Sequence, residues 1–244
     1  MRRLLAAELL RARTTRTAFG LTLGLLAISA IAAAGTVASA GESELSSVDF
    51  QQDLPLTAGF ATLFALLFGI FAVTAEYRHG TATPTFLVTP VRERVIAAKA
   101  LASALVGLGL ATLALGLAYA IATPWLSARG ASLDLLEGES GRRIVGLLLA
   151  AALWGALGAG VGAAVRNQVV AIVGALAWFL VAEPLLGVLS SDIGPYLPGA
   201  AIDGVLRSDG DDELGFGGAV VLSLAYALGA CVLGAVLTAR RDIR

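Results

Sequence analysis

The chain has 244 residues, of which 57% are apolar and only 14% charged, with a mean hydropathy of +0.84. These values lie outside the soluble globular range and exclude a water-soluble enzyme or binding module. The net charge of −1 is a cancellation of 17 basic and 18 acidic side chains that are segregated along the chain. Cys231 is the only cysteine, which excludes a disulfide framework and a cysteine metal site.

The first element, "MRRLLAAELLRARTTR" (1–16), reads as a helix with Glu8 and Arg11 placed for an i, i+3 pair. Its arginines do not segregate to one face, and we expect an interfacial helix held partly by anionic membrane lipid. Six apolar runs follow: Thr17 to about Ala40, Leu54 to Ala75, Ala100 to about Ala122, Ile144 to Val165, Asn167 to about Leu189, and about Gly215 to Ala239. Each approaches the roughly 20 residues that cross a hydrocarbon core. The first run lacks a small-residue cleavage site followed by soluble sequence, so it is expected to be a retained helix rather than a signal peptide. Stretches such as "LGLATLALGLAYAIA" are apolar all round, without the alternation of a barrel strand. Helices remain, because lipid offers no partner for backbone polar groups.

Thirteen of the 17 basic residues fall in segments 1–16, 76–99, 166–168 and 240–244, whereas Arg129, Arg142, Arg143 and Arg207 lie in the alternate loops with most of the acidic residues. Basic residues near span ends stay in the cytoplasm. The fold expected is therefore an all-α integral membrane protein of one domain, 1–244, with six transmembrane helices and both termini cytoplasmic. The last external loop, 190–214, carries Pro195 and Pro198 between short apolar pieces.

The loop "EYRHGTATPTFLVTPVRERVIAAK" (76–99) holds six charged residues and the single histidine. It is longer than a plain helix connection of about 2 to 8 residues, so it should have internal structure and a task. Pro84 and Pro90 divide it. Between them "TFLV" is apolar, and a short surface segment seated by Phe86 and Leu87, flanked by Arg78, Arg92 and Arg94, satisfies the pattern.

At Glu76, Gly80, Thr81, Phe86, Leu87, Thr89, Pro90, Arg92 and Lys99 the chain resembles the permease subunits of ABC transporters of the type 2 exporter class. The resemblance implies that 76–99 is the coupling loop, docking on a cytoplasmic ABC ATP-binding subunit. Glu76 and Arg78 would orient it, Phe86 and Leu87 seat it, and Pro90 with Arg92 fix its exit into the third helix, which Lys99 opens; Gly80, Thr81 and Arg94 belong to the same coupling set. It also implies short re-entrant helices within 190–214, pairing with a second or sister permease, and outward transport in a prokaryotic inner membrane. The sequence agrees in lacking G-x-x-x-x-G-K-[ST], so ATP and magnesium would be bound by the partner. No cofactor, metal, catalytic residue or nucleic-acid contact is expected of this chain. A charge-poor interior favours a hydrophobic or amphiphilic cargo, such as a drug, antibiotic or lipid. A gradient-driven carrier and a non-transporting membrane anchor also fit the composition.

Glu183 is the one acidic residue inside a span. Preceding Pro184, it reads first as a helix-end carboxylate; a deeper placement lining the transport pathway is the alternative. A lone His79 reads as a loop residue, and the acidic run 209–213 departs from the EF-hand order. An intramembrane enzyme would need G-x-S-x-G or H-E-x-x-H, and neither occurs. Gly20 with Gly24, and Gly158 with Gly162, have the spacing that brings helix backbones together in lipid.

Overall fold

A computed structural model describes residues 1–41, 45, 47–81, 91–128, 139–190, 192–207 and 214–240. Among the described residues every regular element is helical. Helix α1, Arg2–Thr14, ends where Thr15 turns extended, and α2, Arg16–Ser39, starts directly after that bend. Ser47 then accepts the amide of Phe50 at 3.2 Å and caps α3, Val48–Asp53. Serine suits this position because its hydroxyl satisfies an amide that the first helical turn leaves unpaired. A 3-10 turn, Leu54–Ala58, leads into α4, Phe60–Arg78.

Next come α5, Arg92–Ala128, and α6, Ser140–Val165. Arg166, at φ 59°, is the left-handed residue that ends α6. Asn167 then caps α7, Gln168–Ala177, which continues through a π-helical turn, Trp178–Ala182, into α8, Glu183–Leu189. The short α9, Pro198–Arg207, and the long α10, Gly215–Arg240, complete the bundle. Six stretches are long and apolar enough to cross a membrane: α2, α3 with α4, α5, α6, α7 with α8, and α10. This is the make-up of a multi-pass membrane protein.

Several boundaries differ from those expected of the sequence, one of them, the start of the third span, with a consequence for the site. The third span starts at Arg92, not Ala100, so Lys99 lies two turns inside the helix rather than at its opening. Val95, Ile96 and Lys99 face the bundle while Glu93, Arg94 and Ala97 face outward, and this amphipathic turn extends the apolar helix where hydropathy alone would end it. The second difference is that part of the segment before Leu54, expected as loop, is the helix α3.

Helix α6 lies at the centre, packed against α4, α5 and α10. A Cβ at Gly158 would stand 2.1 Å from the Leu66 carbonyl oxygen, and one at Gly155 would stand 2.4 Å from that of Ser103. On another face, a Cβ at Gly160 would stand 2.6 Å from the backbone of Ala230. The run "GALGAGVGAA" therefore brings three neighbouring backbones into contact with one helix, the close approach that stabilises bundles where lipid supplies no hydrophobic drive. By contrast, nothing lies within 4 Å of a Cβ at Gly20. Helix α9 buries Ala201, Ile202, Val205 and Leu206 against α6 and α10.

Candidate functional site

The end of α4 is built by three residues of the loop signature. Gly80 takes φ +68°, a conformation that costs a residue without Cβ nothing. It allows the Thr81 amide to reach back to the Glu76 carbonyl at 2.9 Å, while the Gly80 amide points at that of Tyr77 at 3.4 Å. These are the two bonds of a Schellman motif, which satisfies carbonyls left open at a helix C-terminus. Arg78 is exposed beside this cap and reaches Gln168 Oε1 at 3.4 Å; His79 is exposed as well. Phe86, Leu87 and Pro90 lie outside the described residues.

Beyond that segment the chain returns to Glu76. Lys99 is 1% exposed, and its ammonium donates to Glu76 Oε1 at 2.9 Å, Glu8 Oε2 at 2.9 Å and the Ala72 carbonyl at 3.2 Å. All three protons of the ammonium are thereby used. Arg11 pairs with Glu76 and lies 3.5 Å from Glu8. Two cations and two carboxylates make a neutral cluster. A buried lysine would otherwise carry a desolvation penalty of several kcal/mol. The cluster ties α1 to α4 and α5 at one end of the bundle.

A second set of cations closes the same end. Arg92 Nη1 donates to the Thr238 carbonyl at 2.6 Å and to that of Ala239 at 3.4 Å. Arg166 Nη2 donates to the Leu237 carbonyl at 3.2 Å, and its guanidinium lies over the Tyr77 ring, 5.3 Å from the centroid. The last carbonyls of a helix lack intrahelical donors and carry partial negative charge, so arginine is well matched to them. Arg94 is exposed on the first turn of α5 and is not drawn into either cluster.

Between α1, α2, α4 and α5 lies a cavity of about 400 Å³. Glu8, Arg11, Glu76, Arg78 and Lys99 form its charged part, and Leu21, Phe68 and Phe71 line its apolar part. A pocket of this size, with apolar walls and a few convergent polar groups, has the character of a small-ligand site.

Glu183 sits elsewhere, beside α9. Its carboxylate is 6% exposed and accepts from Trp178 Nε1 at 3.1 Å, from the Ala200 amide at 2.9 Å, and from the Gly199 amide. Negative charge at a helix N-terminus is favoured by the unpaired amides and by the helix dipole. A Cβ at position 199 would stand 2.8 Å from Glu183 Oε1, so the glycine admits the carboxylate. A second cavity, of about 420 Å³, lies nearby between Leu63, Trp154, Phe179 and Asp203, with the Trp154 and Phe179 rings 4.5 Å apart.

The structure thus brings Glu76 and Arg78 to the first cavity and joins Arg92 to α10, while Gly80 and Thr81 form the cap between. Glu8, Arg11 and Arg166 are not among the site residues expected from sequence, and Lys99 is expected there only to open the third helix, yet these four complete the clusters. Lys99 carries a signal that could have found it, a single lysine bordering an apolar run. Among the described residues no group of three or more His, Cys, Asp or Glu could hold a metal ion. Compared with protein-family models and with curated proteins, the chain matches none.

Proposed function

We propose that this protein is the membrane-spanning permease subunit of an ATP-driven exporter, resembling the type 2 ABC class, and that the coupling loop, 76–99, receives the force of a separate ATPase. The observation that carries this reading is the Glu76–Lys99 pair. Its members stand at the two ends of that loop, on the last turn of α4 and at the start of the third turn of α5, and both are locked to α1 through Glu8 and Arg11. A push on the loop would therefore move three helices together, because breaking such a cluster leaves an uncompensated buried charge. Arg92 extends the linkage to α10.

In this reading the clustered end faces the cytoplasm, as the excess of arginine there favours, and two six-helix chains enclose a path for a hydrophobic or amphiphilic cargo. Hydrolysis of ATP belongs to the partner. Glu183, with three N–H donors on its carboxylate, serves as a cap rather than a pathway charge.

The test uses the full chain co-expressed with candidate P-loop ATPases from the same genome. With Cys231→Ser as background and Phe86→Cys as the probe, a crosslink to the ATPase in a working complex is the expected result. Crosslinks that reach only lipid or the chain itself would overturn the proposal.

A further inference from the structure

The cavity between α1, α2, α4 and α5 is charged at its mouth and apolar along its wall. Ser103 on α5 backs this cavity, but its Oγ is fully buried and offers no surface to it.

The charge at the mouth is unbalanced. Arg11, Arg78 and Lys99 line the cavity against Glu8 and Glu76, so the fixed cations exceed the carboxylates by one. Lys99 is saturated by its three acceptors. Arg78 is exposed and makes one long hydrogen bond, to Gln168. The planar fork of an arginine suits the oxygens of a phosphate. Past this charged rim the wall turns apolar at Leu21, Phe68 and Phe71.

We infer that this cavity binds one anionic phospholipid of the surrounding leaflet. Its phosphate lies between Arg78 and Arg11, and an acyl chain enters along Phe68 and Phe71. The charged rim and the apolar wall behind it match the headgroup and the acyl chain of such a lipid. Binding needs only this chain, so it stands apart from the transport reading and from any ATPase.

The test is native mass spectrometry of the full chain released from phosphatidylcholine vesicles containing phosphatidylglycerol, with the adduct titrated against phosphatidylglycerol content. The wild type should retain one phosphatidylglycerol per chain in preference to phosphatidylcholine. Arg78→Gln removes an exposed charge without disturbing the bundle and should weaken retention about tenfold, the loss of one charge-assisted hydrogen bond. Ala75→Trp, which fills the cavity from α4, should abolish retention, and Ala18→Trp gives the same readout from α2 should the first variant misfold. Arg3→Gln, outside the cavity, should leave retention unchanged.

Retention unaffected by both Arg78→Gln and a folded cavity-filling variant would overturn the inference. So would an Arg3→Gln effect as large as that of Arg78→Gln, which would mean diffuse surface charge. Displacement of the lipid by inorganic phosphate would reassign the site to the free anion and equally overturn it.

Discussion

The ammonium of Lys99 lies 2.9 Å from a carboxylate oxygen of Glu76, 23 positions earlier in the chain and across the segment that joins α4 to α5. Replacing Lys99 by methionine leaves Glu76 and Glu8 to share Arg11. The expected loss is about 3 to 5 kcal/mol, the usual effect of removing one partner from a buried pair. Denaturant unfolding in detergent measures it. Adding Glu76→Gln should recover part of the loss, since residues in one cluster are not additive; a double variant no more stable than Lys99→Met would show the two to be uncoupled.

Glu183 yields a paired prediction. Alanine there strips acceptors from Trp178 and from the amides of Gly199 and Ala200, and each buried donor left unsatisfied costs about 1 to 3 kcal/mol. Glutamine keeps an acceptor oxygen and, under the exporter function proposed above, should leave transport at the wild-type rate. A Glu183→Gln variant that folds normally and yet fails to transport would return this residue to the pathway.

For Gly158 the prediction concerns shape alone. Alanine at this position meets the Leu66 carbonyl, and the shift needed between α4 and α6 should cost about 1 to 3 kcal/mol. The same change at Gly20, where nothing is near, should stay within about 0.5 kcal/mol. Equal thermal stability of the two variants would contradict the packing described.

Charge reversal at Arg92 sets a carboxylate against the Thr238 carbonyl, where the arginine now donates at 2.6 Å. Under the exporter function proposed above, transport per ATP hydrolysed should fall about tenfold, within the common range of coupling free energies, while ATPase activity and the folded bundle persist. Reconstituted vesicles with the partner ATPase give both rates. Unaltered coupling in Arg92→Glu would remove Arg92 from force transmission.

Much of the architecture was legible in the residues. Long uncharged runs located all six long helices, because lipid demands both length and apolarity. The i, i+3 relation of Glu8 and Arg11 was visible too, since it is local. Their meeting with Glu76 and Lys99 was not, because it depends on how α1 folds back across the bundle. Glu183 was equally opaque: its partners include two backbone amides, which every sequence possesses, and only the placement of α9 selects Gly199 and Ala200. The start of α5 was misplaced for a different reason. Hydropathy stops at the first charges, whereas Arg92 and Lys99 are accommodated by the carbonyls of α10 and by the carboxylates of α4 and α1.

The length of α5 has its own mechanical meaning. Its 37 residues extend ~55 Å at 1.5 Å each, against roughly 30 Å of hydrocarbon, so it reaches beyond both surfaces or leans steeply within them. One tip is gripped by α10, and the far tip is embedded through Ala122 and Leu126 among Val37, Leu45, Phe50 and Leu54. A single long helix therefore links the two faces of the protein, its hydrogen bonding interrupted near the far tip by Pro124, and a tilt imposed at Arg92 is carried along it as far as that proline as it would be along a pushrod.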